Sequence, residues 1–284
     1  LVSGGGSSLL SYPETEWKLG QRFYDSFLQS GKTIVELNTV RKHLSLLKGG
    51  GLAKIAYPAT VIGLVFSDVP GDNFENVASG PTYADKTTVD DAQKIIQDNN
   101  LGEFDLIETP KDKKYFEKVH NFVLVSNKIA VEAMAKKGRE LGMSASIFST
   151  DLYDSVDGVI NKLFSVSSPN SVVLAAGEPS LVVPKDAGKG GRNLHLGLEA
   201  IRNKMIDENK VFISLASDGM DNSDVAGAVV DKETIAKADE LKLGVDDYSN
   251  RFDSYTFFEQ TGDLIDTGPT GANVSDLMIL LNKK

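Results

Sequence analysis

Gly188-Lys-Gly-Gly-Arg-Asn193 places three glycines, two cations and an amide directly ahead of a helical pattern that begins at Leu194. Glycines 188, 190 and 191 let the backbone turn N–H groups toward a ligand. The helix start adds its positive dipole end, and Lys189 and Arg192 add full charge. Such a turn can bind an anion, and phosphate is the expected one. Gly190, Gly191 and Asn193 would cradle it. A solvated strand-to-helix turn is the plain alternative.

Four other polar, glycine-rich turns share this layout, each after an apolar run. Leu1-Val-Ser-Gly-Gly-Gly-Ser-Ser reads as a strand end followed by a backbone nest, with Ser3, Gly4, Gly5, Gly6 and Ser7 as ligand-facing candidates. Ser67-Asp-Val-Pro-Gly-Asp72 sets two carboxylates at a strand's carboxyl end. Asp68 is the candidate to orient or deprotonate a hydroxyl, and Asp72 is its neighbour in the site. Ser217-Asp-Gly-Met-Asp-Asn-Ser-Asp224 repeats that logic. Asp218 and Asp221 are its candidate metal carboxylates, because Mg²⁺ needs only one or two. An EF-hand is excluded, since Val229 stands where its glutamate belongs. Asp266-Thr-Gly-Pro-Thr-Gly-Ala-Asn273 contributes Thr270. Thr270 and Asn273 also suit the start of a helix expected over Val274 to Leu281. The Ser126-Asn127 step between a strand and a helix is a weaker candidate.

The expected helix Thr33 to Lys48 buries Leu37, Val40, Leu44 and Leu47 and gathers Asn38, Arg41, Lys42, Ser45 and Lys48 elsewhere. Asn38, Arg41 and Lys48 could clamp a carboxylate or phosphate; a solvated charged face is the alternative. Gly49-Gly-Gly51 reads as its C-cap. His43 reads as a packing or surface residue.

The elements that must position these groups alternate. Strand-like runs cover Thr60 to Phe66, Asn121 to Val125, Ser144 to Phe148, Ser171 to Ala175 and Val211 to Ala216. Helical patterns cover Glu14 to Ser30, Thr33 to Lys48, Thr88 to Asn99, Asn127 to Leu141, Asp154 to Phe164, Leu194 to Asn209 and Lys232 to Leu241. This alternation predicts parallel α/β sheets, with ligands beyond the strands' carboxyl ends. The polar, proline-bearing segment Ser165 to Asn170 is the expected domain boundary.

Several classes are excluded. The 284 residues contain no cysteine, so thiolate chemistry and cysteine-bound zinc are absent. The formal net charge of -10 disfavours a nucleic-acid partner. No apolar run approaches the roughly 18 residues that span a bilayer, so no membrane partner is expected. Ser30-Gly-Lys-Thr33 is not a P-loop, since Ser26 replaces the required glycine and a helix precedes it. No dinucleotide fingerprint is present. The chain opens on a strand end without a Met, which reads as a fragment lacking N-terminal sequence.

Six ordered motifs resemble those of the glycerate 2-kinases, the MOFRL-domain family: the opening Leu1 to Ser8; Glu36 to Ser45; Ser67 to Asp72 with Ala78-Ser-Gly-Pro-Thr82; Gly188 to Asn193; Ser217 to Asp221 with Asp224-Val-Ala-Gly-Ala228; and Thr267 to Asn273. The resemblance runs from residue 1 to about residue 281. It implies two α/β domains with mainly parallel, helix-covered sheets and an active-site cleft between them. These would be residues 1–167, Rossmann-like and incomplete at the start, and residues 168–284, MOFRL-type. It implies ATP- and Mg²⁺-dependent phosphorylation of D-glycerate at the 2-hydroxyl, as a cytoplasmic activity of carbohydrate metabolism. Asp68 and Arg192 would be the catalytic residues, and a homodimer is a candidate assembly. Two positions depart from the family pattern. Ala176-Gly-Glu-Pro179 lacks a threonine hydroxyl but keeps Glu178 as a site candidate, and Phe252-Asp-Ser-Tyr255 replaces an asparagine. A family active-site lysine is expected in the missing N-terminal part. The alternatives are a hydroxypyruvate reductase and a non-catalytic sugar-acid or nucleotide-binding protein.

Overall fold

The computed structural model describes residues 1–14, 16–18, 34–69, 71 and 73–283. The chain divides into two compact units, Leu1–Val69 with Asn73–Val125, and Ser126–Lys284 with Pro70–Asp72. Most of the helix expected over Glu14 to Ser30 lies outside the described residues.

The first unit holds a three-stranded parallel sheet, ordered β1 (Val2–Ser3), β2 (Val61–Phe66), β3 (Val119–Val125). Val2 pairs with Val65, and Leu64 with Phe122. Val65 is fully buried, but Ile62, Phe122 and Leu124 are exposed on the opposite face. Among the described residues, this sheet is therefore not covered on both faces as its apolar composition suggests. The helix Val89–Asp98 starts at a capping box between Thr88 and Asp91, which contributes about 1 kcal/mol. Its Ala92 and Ile96 pack on Leu37, Val40 and Leu44.

The helix expected over Thr33 to Lys48 ends at His43. The Ser45 hydroxyl accepts the N–H groups of Leu47 and Lys48 at 3.1 and 3.2 Å, a local alternative to helical bonding. Gly49 to Gly51 consequently do not cap that helix. Gly50, at φ 87°, is the N-cap of the next one, Gly51–Ala56.

The second unit is built on six strands in the order β4 (Ser144–Leu152), β5 (Ser171–Gly177), β9 (Asp276–Asn282), β6 (Lys210–Ala216), β7 (Gly227–Val230), β8 (Leu264–Ile265). Only β4 and β5 pair in parallel; β9 lies antiparallel between β5 and β6. The sheet is mixed, which corrects the parallel expectation for this unit. The expected helix Val274 to Leu281 is also corrected, because most of it is the strand β9. Met278 and Leu280 enter one core with Phe212, Phe257 and Phe258; Leu277, Ile279 and Leu281 pack on the other side with Val131 and Leu174. A strand buried on both faces is apolar at every position, so its period of two is invisible in sequence.

The boundary expected at 167/168 does not coincide with the division between compact units. It falls between β4 and β5, which hydrogen-bond to each other from Ser144–Ser171 to Leu152–Gly177.

Candidate functional site

In the second unit, the carboxyl ends of β5 and β6 flank the start of β9. Register sets Asp276 opposite Gly177 and Ala216. The glycine-rich turn then runs into the helix Arg192–Arg202. Arg192 donates from Nε to Asp276 Oδ2 at 2.5 Å and from Nη1 to Glu178 Oε1 at 2.9 Å. Asn193 donates from Nδ2 to Asp276 Oδ1 at 2.8 Å and accepts the Ser214 hydroxyl at 2.5 Å. Asp276 is 1% exposed. Burial pushes its carboxyl up to about 6, against the pull of Arg192 and Asn193.

The helix start is not open to an anion in the way expected. Asp221 Oδ1 accepts the Asn193 N–H at 3.1 Å and Asn193 Nδ2 at 3.0 Å, and its Oδ2 accepts the Leu194 N–H at 2.8 Å. A carboxylate from the turn after β6 therefore caps this helix. Burial still raises its pKa above the ordinary value, because desolvation outweighs these donors. Both Asp221 oxygens are engaged, so the residue suits a cap better than a metal ligand. Asp218 forms a local turn, accepting the Met220 N–H at 3.0 Å. Thr270 caps no helix; its N–H bonds the Asp218 carbonyl and its hydroxyl the Ser217 carbonyl.

The turn itself is braced from below by Phe252 to Tyr255. Asp253 Oδ1 accepts the Lys189 N–H at 3.2 Å, and the Tyr255 N–H donates to the Lys189 carbonyl at 3.0 Å. A Cβ at Gly188 would strike Asp253, one at Gly190 the Ser254 hydroxyl and one at Gly191 Asp221. Lys189 Nζ sits 3.3 Å from the Tyr255 ring centroid and 3.0 Å from Asp224. The Asp224 carboxylate raises its pKa.

The first unit holds a cavity of about 740 Å³. Gly4, Gly5, Ser7, Asn38, Arg41, Lys48 and Asp68 all line it, although they come from three separate stretches of sequence. Gly5 has φ 75°, a left-handed turn that favours glycine. A Cβ on Gly4 would run into the Asp68 carboxylate. Asp68 thus lies against bare backbone, at the carboxyl ends of β1 and β2. Ser7 Oγ lies 3.0 Å from Ser79 Oγ, which donates to Asn38 Oδ1 at 3.1 Å. Ala78 and Ser79 have φ 51° and 57°. Two adjacent non-glycine residues in that region mark local strain, which concentrates at functional sites.

Lys48 is almost fully buried. It pairs with Glu16 and donates to the Leu10 carbonyl at 2.9 Å. Burial lowers its pKa while Glu16 works against that. Lys42 turns elsewhere and binds Asp85 at 3.2 Å, so the expected polar face divides. His43 is fully buried, with Nδ1 2.9 Å from the Ile107 carbonyl.

Not every candidate joins a cluster. Ser3 is exposed and bonds its neighbour's carbonyl. Gly6 packs on Ala78. Ser126 caps the helix Asn127–Glu140, accepting the Ile129 N–H. Asn127 Nδ2 binds the Thr150 carbonyl at 2.7 Å. Asp72 lies outside the described residues. Sequence reasoning missed Asp276, Glu16 and Ser79; only Ser79 carried a signal, inside the Ala78-Ser-Gly-Pro-Thr82 motif. Among the described residues no group of three or more His, Asp or Glu could hold a metal ion, and no helix is long and apolar enough to cross a membrane.

Residues 1–107 match a family described as a domain of unknown function, DUF4147, and residues 171–276 match the MOFRL family. A crystal structure of the glycerate kinase of Thermotoga maritima superposes with a TM-score of 0.89 at 33% identity, covering 99% of this chain and 72% of that chain. The fold is thus the α/β class of the glycerate kinases. The glycerate 2-kinase of Pyrococcus horikoshii is 35% identical, over 99% of this chain and 69% of that protein. An Agrobacterium vitis protein with a provisional hydroxypyruvate reductase name is also 35% identical, over 99% of this chain and 78% of that protein. The chain belongs to the glycerate 2-kinase family.

Proposed function

We propose that this chain phosphorylates D-glycerate at its 2-hydroxyl with ATP as the donor. Relatives named glycerate 2-kinase, matched along 98–99% of the chain, support the reaction. The observation that carries the reading is the first unit's cavity. It gathers Asp68, the Gly4–Gly5 backbone and the Asn38, Arg41 and Lys48 side chains from distant parts of the sequence.

The proposed roles follow from the chemistry of each group. Arg41 suits the glycerate carboxylate, because a guanidinium can bind it through two parallel bonds. Lys48 already faces Glu16, so it contributes less net charge than its type suggests. Asp68 accepts the proton of the 2-hydroxyl as that oxygen bonds the γ-phosphorus. The bond from phosphorus to the β,γ-bridging oxygen breaks, and ADP leaves with the electron pair. Phosphoryl transfer of this kind needs positioning and charge neutralisation above all. Arg192 and Lys189 supply positive charge to phosphate oxygens.

Mg²⁺ fits this donor set in a limited way. Asp218 could hold it through its carboxylate, whereas Asp221 is engaged by the helix start. Bound there with ATP, Mg²⁺ would neutralise phosphate charge and keep several waters. The proposed setting is the cytoplasm, and a homodimer is a candidate assembly that sedimentation would check.

The test is a pair of assays. ADP release should depend on both ATP and D-glycerate. Oxidation of NADH with hydroxypyruvate and no ATP should stay at background. Turnover in the second assay but not the first would replace the kinase with a reductase.

A further inference from the structure

We infer that Asp276 is a positioning residue for Arg192, the fixed end against which the guanidinium is held as it meets a phosphate. The inference rests on the reading that Arg192 binds phosphate. Asp276 opens the central strand β9, and its neighbours across the sheet are Gly177 of β5 and Ala216 of β6. Three strands, rather than a loop, therefore fix its backbone. Both carboxylate oxygens are engaged, Oδ1 by Asn193 and Oδ2 by Arg192 Nε. Asn193 is itself fixed by Ser214 of β6 and by Asp221.

The two carboxylates on Arg192 differ. Asp276 is 1% exposed, whereas the Glu178 side chain is 49% exposed. An incoming phosphate can displace Glu178 from Nη1, but Asp276 remains on Nε. A bond at Nε fixes the guanidinium plane and leaves the other donors for two-point contact. A lysine has a single nitrogen, so it cannot be held and bind a phosphate in the same geometry.

The test compares Arg192→Ala, Asp276→Asn and their double variant in the whole enzyme, with ATP and D-glycerate. Asp276→Asn should lower kcat/KM about tenfold or more, with KM for glycerate within about twofold of wild type. The double variant should fall within about twofold of Arg192→Ala alone, because Asp276 acts only through Arg192. A merely structural role predicts the same loss in both backgrounds. That additive result, or a smaller loss in the single variant, overturns the inference while the phosphate role of Arg192 stands. Near-normal kinetics in Arg192→Ala would remove the phosphate reading itself, and the inference with it. Should Asp276→Asn fail to fold, Asp276→Glu takes its place in the same comparison with Arg192→Ala and the corresponding double variant, and the same two outcomes decide.

Discussion

The two units set their charged candidates in different surroundings. In the first, Asp68 and Arg41 line an open cavity, and one lysine, Lys48, is buried against Glu16. In the second, both cations of the expected anion turn and the helix start behind them already meet carboxylates. Arg192 meets Asp276 and Glu178, Lys189 meets Asp224, and the helix start meets Asp221. Those carboxylates fall into two groups. Asp221 and Asp276 are buried and keep their partners whether or not a ligand is bound. The side chains of Glu178 and Asp224 are 49% and 74% exposed, so a phosphate can replace them at little cost. A basic turn in sequence therefore shows where an anion can bind, but not which of its donors remain exchangeable.

The sharpest way to break this comparison is at Asp68. Asp68→Asn keeps the shape and removes the base. The expected loss in kcat is on the order of 10²–10⁴, with ATP affinity largely kept. Steady-state kinetics with nucleotide-binding calorimetry checks it, and a near-normal kcat would show that the cavity's carboxylate takes no proton.

Arg192→Ala should reduce kcat/KM about 100-fold or more, roughly 2.7 kcal/mol of transition-state stabilisation. Asp221→Ala addresses the fold instead. It leaves two N–H groups of a buried helix start without their partner, which should lower stability by about 2–3 kcal/mol in denaturant titrations. An unchanged midpoint, together with a large shift in Mg²⁺ requirement, would restore Asp221 to the metal.

The smallest expected effect is a pH dependence. The Asp276 carboxyl stands at about 6 in the folded chain against an ordinary 3.8. Between those values the folded state binds the extra proton, so stability falls as pH rises. The neighbours that share its field are Arg192, Asn193 and Asp221. Wild-type stability relative to Asp276→Asn should therefore decline from about pH 4 to about pH 6 and be flat above. A difference that rises over that window would place the Asp276 pKa below its ordinary value.

Parts of this organisation are legible in the sequence, and the reasons for the rest are physical. The strands β2, β3, β5 and β6 stand out as apolar runs, and the turns at their carboxyl ends carry Asp68 and Asp218. Thr88 with Asp91 marks a helix start locally. β9 does not stand out, because a strand in two cores has no polar face. With β9 unread, Asp276 appears as an acidic residue in the first turn of the helix expected over Val274 to Leu281. Asp221 caps a helix that starts 29 residues before it, and local spacing carries no trace of a cap supplied from so far along the chain. The split between Lys42 and its helical neighbours depends on Asp85, which only the folded chain brings within reach.

The position of the new phosphate tests the central claim most directly. Phosphorus-31 NMR of the product from ATP and D-glycerate, without proton decoupling, reads the number of protons on the esterified carbon. The 2-hydroxyl carbon carries one, so a new ester resonance split into a doublet is predicted. A triplet would place the phosphate on the primary hydroxyl, and no new ester resonance would contradict the kinase.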